Sequence, residues 1–307
     1  MNSKRKVLVC DPIHEEGVKR LRKAGFEVDA NPTIDPETLK KNVADYEALI
    51  VRGRTKVTKE IIEAGIRLKA IGRAGVGVDN IDVKAAKKKG IVVLNTSEAP
   101  ANAVAELTIG LLLSLARSIS LADRTMKEGK WIKKELTGWQ LKGKTLGTIG
   151  LGNIGERVAR IAKAFGMNIL ITKRTPPSQE LLQELVAKFV PLEELLRESD
   201  VITLHVPLTP ETHRMIGARE FKLMKDGAFL INTSRGSIVD ENALLEALRS
   251  GKIGGAALDV YEVEPPKDLE LIKLPNVVCT AHIGAQTKDA QRNAGTMIAD
   301  KVVNLLK

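Results

Sequence analysis

Residues 146–165 read Leu146-Gly-Thr-Ile149-Gly150-Leu-Gly152-Asn153-Ile154-Gly155-Glu-Arg157-Val-Ala-Arg-Ile-Ala-Lys-Ala-Phe165. A short apolar run passes straight into three spaced glycines and then into a stretch with helical spacing. Strand, glycine turn and helix in that order are what a dinucleotide-binding loop needs. Gly150 permits the tight turn, Gly152 leaves the backbone open to a pyrophosphate, and Gly155 lets helix and strand pack closely. The helix start then offers free N–H groups and partial positive charge to the phosphates.

The same alternation extends outward in both directions. Apolar runs at Val7–Cys10, Ala48–Val51, Leu68–Ile71 and Val92–Leu94 alternate with helical stretches near Glu15–Ala24, Pro36–Val43, Lys59–Ala64 and Asp82–Lys89. After a strand-free, Ala- and Leu-rich region at Asn102–Lys127, strands recur at Leu146–Ile149, Ile169–Thr172, Val201–Leu204, Ala228–Ile231, Ala256–Val260 and Val277–Thr280. Continuous apolar strands separated by helices predict α/β architecture with parallel, doubly wound sheets covered on both faces. The helical Thr287–Leu306 segment has no strands of its own. It is expected to fold back onto the first domain, giving a discontinuous domain of residues 1–99 and 286–307 and a dinucleotide-binding domain of residues 100–285, with a cleft between them.

The composition narrows the function. The 307 residues carry 48 Lys+Arg against 38 Asp+Glu, a net charge of +10, but only 3% are aromatic. Base-stacking side chains are scarce and no basic tail exists, so nucleic acid is disfavoured, and the surplus reads as a solvated surface or as a field for a small anionic ligand. Two cysteines, Cys10 and Cys279, cannot build a disulfide framework or a metal cluster and are expected to be core filler in a reducing compartment. The basic start is followed by an apolar run of four residues, Val7–Cys10, shorter than the ~7–15 of a signal sequence. The most apolar window, Leu107–Ala116, is shorter than the ~18 residues of a membrane span. A cytoplasmic protein with no membrane partner is expected.

The second strand of a NAD site ordinarily ends in an acid that holds the ribose hydroxyls. Here Lys173, Arg174 and Thr175 stand at that place. Two cations and a hydroxyl suit the 2′-phosphate of NADP, and NAD remains the alternative.

Polar groups gather just past the later strands: Asn232-Thr233-Ser234-Arg235-Gly236, then Asp259 and Glu264-Pro265, then His282-Ile-Gly284-Ala285. An arginine fork fits a carboxylate and polarises an adjacent carbonyl. An imidazole moves a proton near neutral pH, and an acid beside it fixes its orientation. Together they are a set for interconverting a 2-hydroxy acid and a 2-keto acid.

These motifs, with Arg73-Ala-Gly75-Val-Gly77-Val-Asp79-Asn80, Asn102, and His205-Val206-Pro207, resemble the D-isomer-specific 2-hydroxyacid dehydrogenases along nearly the whole chain. The resemblance implies a Rossmann nucleotide-binding domain and a flavodoxin-like substrate-binding domain. It implies Arg235, Glu264 and His282 as the catalytic trio. It also implies cofactor contacts from Asn153 and Ile154 at the pyrophosphate, and from His205, Val206, Pro207, Thr233, Ser234, Asp259, Gly284 and Ala285. Substrate contacts would come from Arg52, Arg73, Gly75 and Asn102, and a homodimer would form around the Asn102–Lys127 helices. Arg52 and Arg73 point to a phosphorylated substrate: oxidation of 3-phospho-D-glycerate to 3-phosphohydroxypyruvate, the first step of L-serine synthesis. Lys173 to Thr175 point to the alternative, an NADP-dependent glyoxylate or hydroxypyruvate reductase. The sequence ends soon after its last motif, so no serine feedback through a carboxy-terminal regulatory domain is expected.

Overall fold

The computed structural model describes residues 5–307; the first four residues of the basic start lie outside the described part. The chain divides into two compact units, one running to Ala101 and resuming at Ala285–Lys307, the other Asn102–Gly284.

The first unit begins β1 (Lys6–Val9), α1 (Glu15–Lys23), β2 (Glu27–Ala30), α2 (Pro36–Asn42) and β3 (Ala48–Val51). It continues α3 (Lys59–Ala64), β4 (Ala70–Arg73), α4 (Val83–Lys88) and β5 (Val92–Asn95). The five strands form one parallel sheet in the order β2-β1-β3-β4-β5. Successive strand residues face opposite sides: Val7, Val9 and Ile50 join one core cluster, while Leu8, Leu49 and Val51 join the other. That double burial is why these strands are apolar throughout.

The second unit opens with α5 (Ala101–Arg117) and α6 (Ile119–Lys127), then β6 (Thr145–Ile149), α7 (Asn153–Ala164), β7 (Asn168–Thr172), α8 (Gln179–Leu185) and β8 (Ala187–Phe189). It goes on through α9 (Leu192–Glu198), β9 (Val201–Leu204), α10 (Ala218–Leu223), β10 (Ala228–Asn232), α11 (Glu241–Arg249), β11 (Ile253–Leu258) and β12 (Val277–Cys279). The seven strands are parallel, ordered β12-β11-β10-β9-β6-β7-β8. The last helix, α12 (Lys288–Leu306), packs on α1 and β4, burying Ala294, Ile298 and Val302 in the first unit's core.

Both α/β sheets read from the sequence are present, with differences that have physical causes. β2 and β8 were not expected: each is a short edge strand, partly exposed, without a continuous apolar run. The strand expected at Leu68–Ile71 lies at Ala70–Arg73, because Leu68 is buried while still outside the ladder. Arg73 therefore ends the strand rather than following it. Cys10 is buried, and desolvation together with the Asp11 charge pushes its thiol up to about 12. Cys279 is exposed rather than core filler, because β12 is an edge strand.

No single helix among the described residues is long and apolar enough to cross a membrane. Together α5 and α6 pass that test by length and composition only, but they bend by 67° at their break. The apolar residues of α5, including Ala105, Ile109 and Leu112, lie in the second unit's core.

Candidate active site

The glycine loop joins β6 to α7 at the place where the strand order of the second sheet reverses, between β6 and β9. Such reversals open a crevice at the carboxyl edge. Two of the three glycines are dictated by protein packing. A β-carbon on Gly150 (φ 94°) would lie 2.4 Å from the His205 carbonyl oxygen, and one on Gly155 would lie 2.3 Å from that of Gly150. Gly152 is different: a β-carbon there meets nothing within 4 Å. Nothing in the protein's own packing requires this glycine, whereas a pyrophosphate lying against the helix start would. The loop therefore fits a dinucleotide, and Gly152, Asn153 and Ile154 at the helix start are the residues that would meet its phosphates.

Lys173 leaves β7 beside this loop, and its ammonium donates to the Leu151 carbonyl at 3.4 Å. Arg174 and Thr175 are exposed. On the other side, His205 follows β9; its N–H donates to the Ile149 carbonyl at 2.8 Å and its Nε2 lies 3.0 Å from the Thr203 hydroxyl. Desolvation pushes the His205 imidazole down to about 3, so it is neutral near pH 7. His205 and Val206 form the floor under Gly150, and Pro207 is exposed beyond them.

The trio is assembled by contacts among three loops. After β10, the Asn232 side chain accepts from the N–H and hydroxyl of Ser234 and donates to the Arg235 carbonyl at 2.9 Å, shaping the turn that carries Arg235. Thr233 meets the Thr108 hydroxyl of α5 at 3.0 Å, both buried. Gly236 lies so close to Tyr261 that a β-carbon there would sit 1.8 Å from the Tyr261 carbonyl carbon. The Tyr261 N–H in turn donates to Glu264 Oε1 at 3.1 Å. Glu264 Oε2 lies 2.7 Å from His282 Nδ1. A carboxylate only accepts, so Nδ1 carries the proton and Nε2 is left for exchange with a substrate. The side chains of Glu264 and His282 keep 38% and 49% of their exposure, so the pair is not sealed in the core.

His282 has φ 52°, in the left-handed region that side chains rarely adopt. Asp259, 1% exposed, holds the turn in that shape. Its backbone carbonyl accepts from the His282 N–H at 2.8 Å. Its carboxylate accepts from the Thr280 hydroxyl (2.6 Å), the Ile283 N–H (2.8 Å) and the Gly284 N–H (2.9 Å). Gly284 is buried in this turn and Ala285 follows it, half-buried.

Arg52, Arg73 and Gly75 belong to the first unit. β3 and β4 pair Val51 with Arg73, so Arg52 and Arg73 are neighbours across the carboxyl edge of adjacent strands. The Arg73 guanidinium lies over Gly75, with Nη1 1.4 Å from where a β-carbon would be. Asn102 begins the second unit, and its side-chain oxygen accepts from Arg157 of α7 at 2.5 Å. Thr108 and Tyr261 carry no signal in the sequence, because their roles are contacts across long separations.

The family described as D-isomer specific 2-hydroxyacid dehydrogenase, NAD binding domain, matches residues 109–284. The chain belongs to the D-isomer specific 2-hydroxyacid dehydrogenases. The family is oxidoreductase, and its NAD-binding domain matches the unit that carries the glycine loop. The chain is 48% identical over 303 residues to a D-3-phosphoglycerate dehydrogenase of Methanocaldococcus jannaschii, covering 98% of this chain and 57% of that protein. It is also 48% identical over 301 residues to a hydroxypyruvate reductase of Thermotoga maritima, covering 97% of each. The chain thus spans a little over half the length of the first of these family members and nearly all of the second. Among solved structures of the family, a glyoxylate reductase from Paecilomyes thermophila has a TM-score of 0.92 at 33% identity, over 98% of this chain and 95% of that one.

Proposed function

We propose that the protein oxidises 3-phospho-D-glycerate to 3-phosphohydroxypyruvate with a nicotinamide cofactor, the entry step of L-serine synthesis. The observation that carries the chemistry is the 2.7 Å contact of His282 with Glu264, linked through Tyr261 to the loop of Arg235. His282 Nε2 takes the proton of the C2 hydroxyl and returns it in the reverse direction. Glu264 keeps Nδ1 protonated and the ring turned, and it stabilises the imidazolium that forms. Arg235 holds the substrate carboxylate and polarises the carbonyl oxygen. A bound nicotinamide supplies the acceptor or donor of the hydride. The phosphate is assigned to Arg52 and Arg73 of the first unit, the two neighbouring strand-end cations.

A second reading is an NADP-dependent hydroxypyruvate or glyoxylate reductase. Lys173, Arg174 and Thr175 favour it, since no acid stands at the end of β7. Initial rates of the purified protein with 3-phosphoglycerate, hydroxypyruvate and glyoxylate, each with the NAD and NADP couples, separate the two. The first reading expects the highest kcat/KM for 3-phosphoglycerate. A preference of orders of magnitude for hydroxypyruvate or glyoxylate with NADPH overturns it. We also infer a cytoplasmic homodimer built on α5 and α6, supported by the exposed Ile119, Met126 and Trp131. Monomeric sedimentation contradicts the dimer.

A further inference from the structure

The strand order of the first sheet also reverses, between β1 and β3. Asp11 leaves the sheet just beyond β1, and Arg52 just beyond β3. Asp11 is 1% exposed, an unfavourable place for a carboxylate unless donors surround it. Its Oδ2 accepts from the backbone N–H of Arg52 at 2.5 Å and of Thr55 at 3.2 Å. Its Oδ1 accepts from the Thr55 hydroxyl at 2.6 Å and pairs with Arg54 Nε at 3.2 Å. Asn80 grips the same segment through its carbonyls, donating to those of Arg52 (3.1 Å) and Thr55 (2.6 Å). Residues 52–55 are thus held through their N–H groups by Asp11 and through their carbonyls by Asn80.

The two arginines of this segment have opposite fates. Arg54 is consumed by the fold: besides Asp11, its guanidinium donates to the carbonyls of Ile34 (3.0 Å) and Cys10 (2.6 Å). The Arg52 guanidinium has no hydrogen bond or ion pair among the described residues. We infer that Asp11 and Asn80 are positioning residues: they fix the backbone of residues 52–55 so that Arg52 is presented to the anionic group of the substrate. Arg54 is the cation that balances Asp11 in this brace. The inference rests on the assignment of Arg52 to the substrate made above.

The test is a double-mutant cycle on the full chain with 3-phospho-D-glycerate, with cofactor Kd and thermal unfolding measured on each variant. Asp11→Asn raises KM about tenfold, equivalent to about 1.4 kcal/mol of binding, while kcat and cofactor Kd stay within about twofold. In an Arg52→Gln background the same change adds less than about twofold, because there is no guanidinium left to position. Should Asp11→Asn fail to fold, Asn80→Ala is read in the same cycle and gives the same pattern. Full multiplication of the two losses overturns the inference and makes the brace purely structural. An Arg52→Gln variant with unchanged KM for 3-phosphoglycerate, hydroxypyruvate and glyoxylate overturns the substrate assignment as well, and so separates the two failures.

Discussion

Asp11 and Asp259 are counterparts in different units. Each is 1% exposed, each stands just past a parallel strand, and each spends its carboxylate on a turn that carries a candidate functional side chain. They differ in what they hold and how. Asp259 is met by a hydroxyl and two backbone N–H groups and keeps His282 in a left-handed conformation. Asp11 is met by similar groups and also by the Arg54 guanidinium, and it shapes the backbone from which the long Arg52 side chain departs. Proton transfer demands a fixed nitrogen, whereas attraction between a flexible cation and an anion tolerates displacement. Damage around His282 should therefore appear in kcat, and damage around Arg52 in KM.

The largest expected effect breaks the His282 side of that comparison. His282→Asn keeps a residue that tolerates the left-handed backbone but removes the imidazole, and kcat falls by about 10²–10⁴-fold with cofactor Kd unchanged. Steady-state rates and fluorescence titration with reduced cofactor check this. Lys173→Asp acts on neither carboxylate and sharpens the contrast with the cofactor end. It moves the ratio of kcat/KM values toward NAD by about tenfold, by removing a cation suited to a 2′-phosphate and supplying an acceptor for ribose hydroxyls. An unchanged ratio means Lys173 never meets the ribose.

The smallest effect concerns stability. The folded pKa of His205, about 3, lies below its ordinary 6.5, so between those values the unfolded chain binds a proton that the folded chain does not. Stability is therefore full above about pH 6.5 and declines as pH falls toward 3. His205→Gln flattens that part of the melting-temperature profile while leaving the fall due to carboxylates. Parallel profiles for the two proteins contradict the neutral, desolvated ring.

Much of this was legible in the sequence, for physical reasons that can be named. Strands buried on both faces are apolar throughout, so β3, β6 and β9 stand out, and the glycine loop announces itself by its place between β6 and α7. The Arg235, Glu264 and His282 motifs follow strand ends, where side chains of different loops can meet. The edge strands β2 and β8 were hidden because half-exposed strands lose the apolar run. Asp11 gave no signal at all, and Asn80, although part of a quoted motif, gave no sign of what it holds. Their roles lie in bonds to Arg52 across 41 and 28 residues, and no local pattern encodes such a contact. For the same reason no local pattern tells Arg52 from Arg54, two residues apart and chemically identical; the family resemblance alone singled out Arg52.

The most direct test of the proposal that His282 transfers the proton and that buried Asp259 holds it in place is the kcat of Asp259→Asn, alone and combined with His282→Asn. Alone it lowers kcat by about 10²-fold, the scale expected when a reacting group is displaced by an ångström. Combined, it leaves the double variant no slower than His282→Asn itself. A double variant slower by the full product of the two single losses would show that Asp259 acts on the reaction without passing through His282.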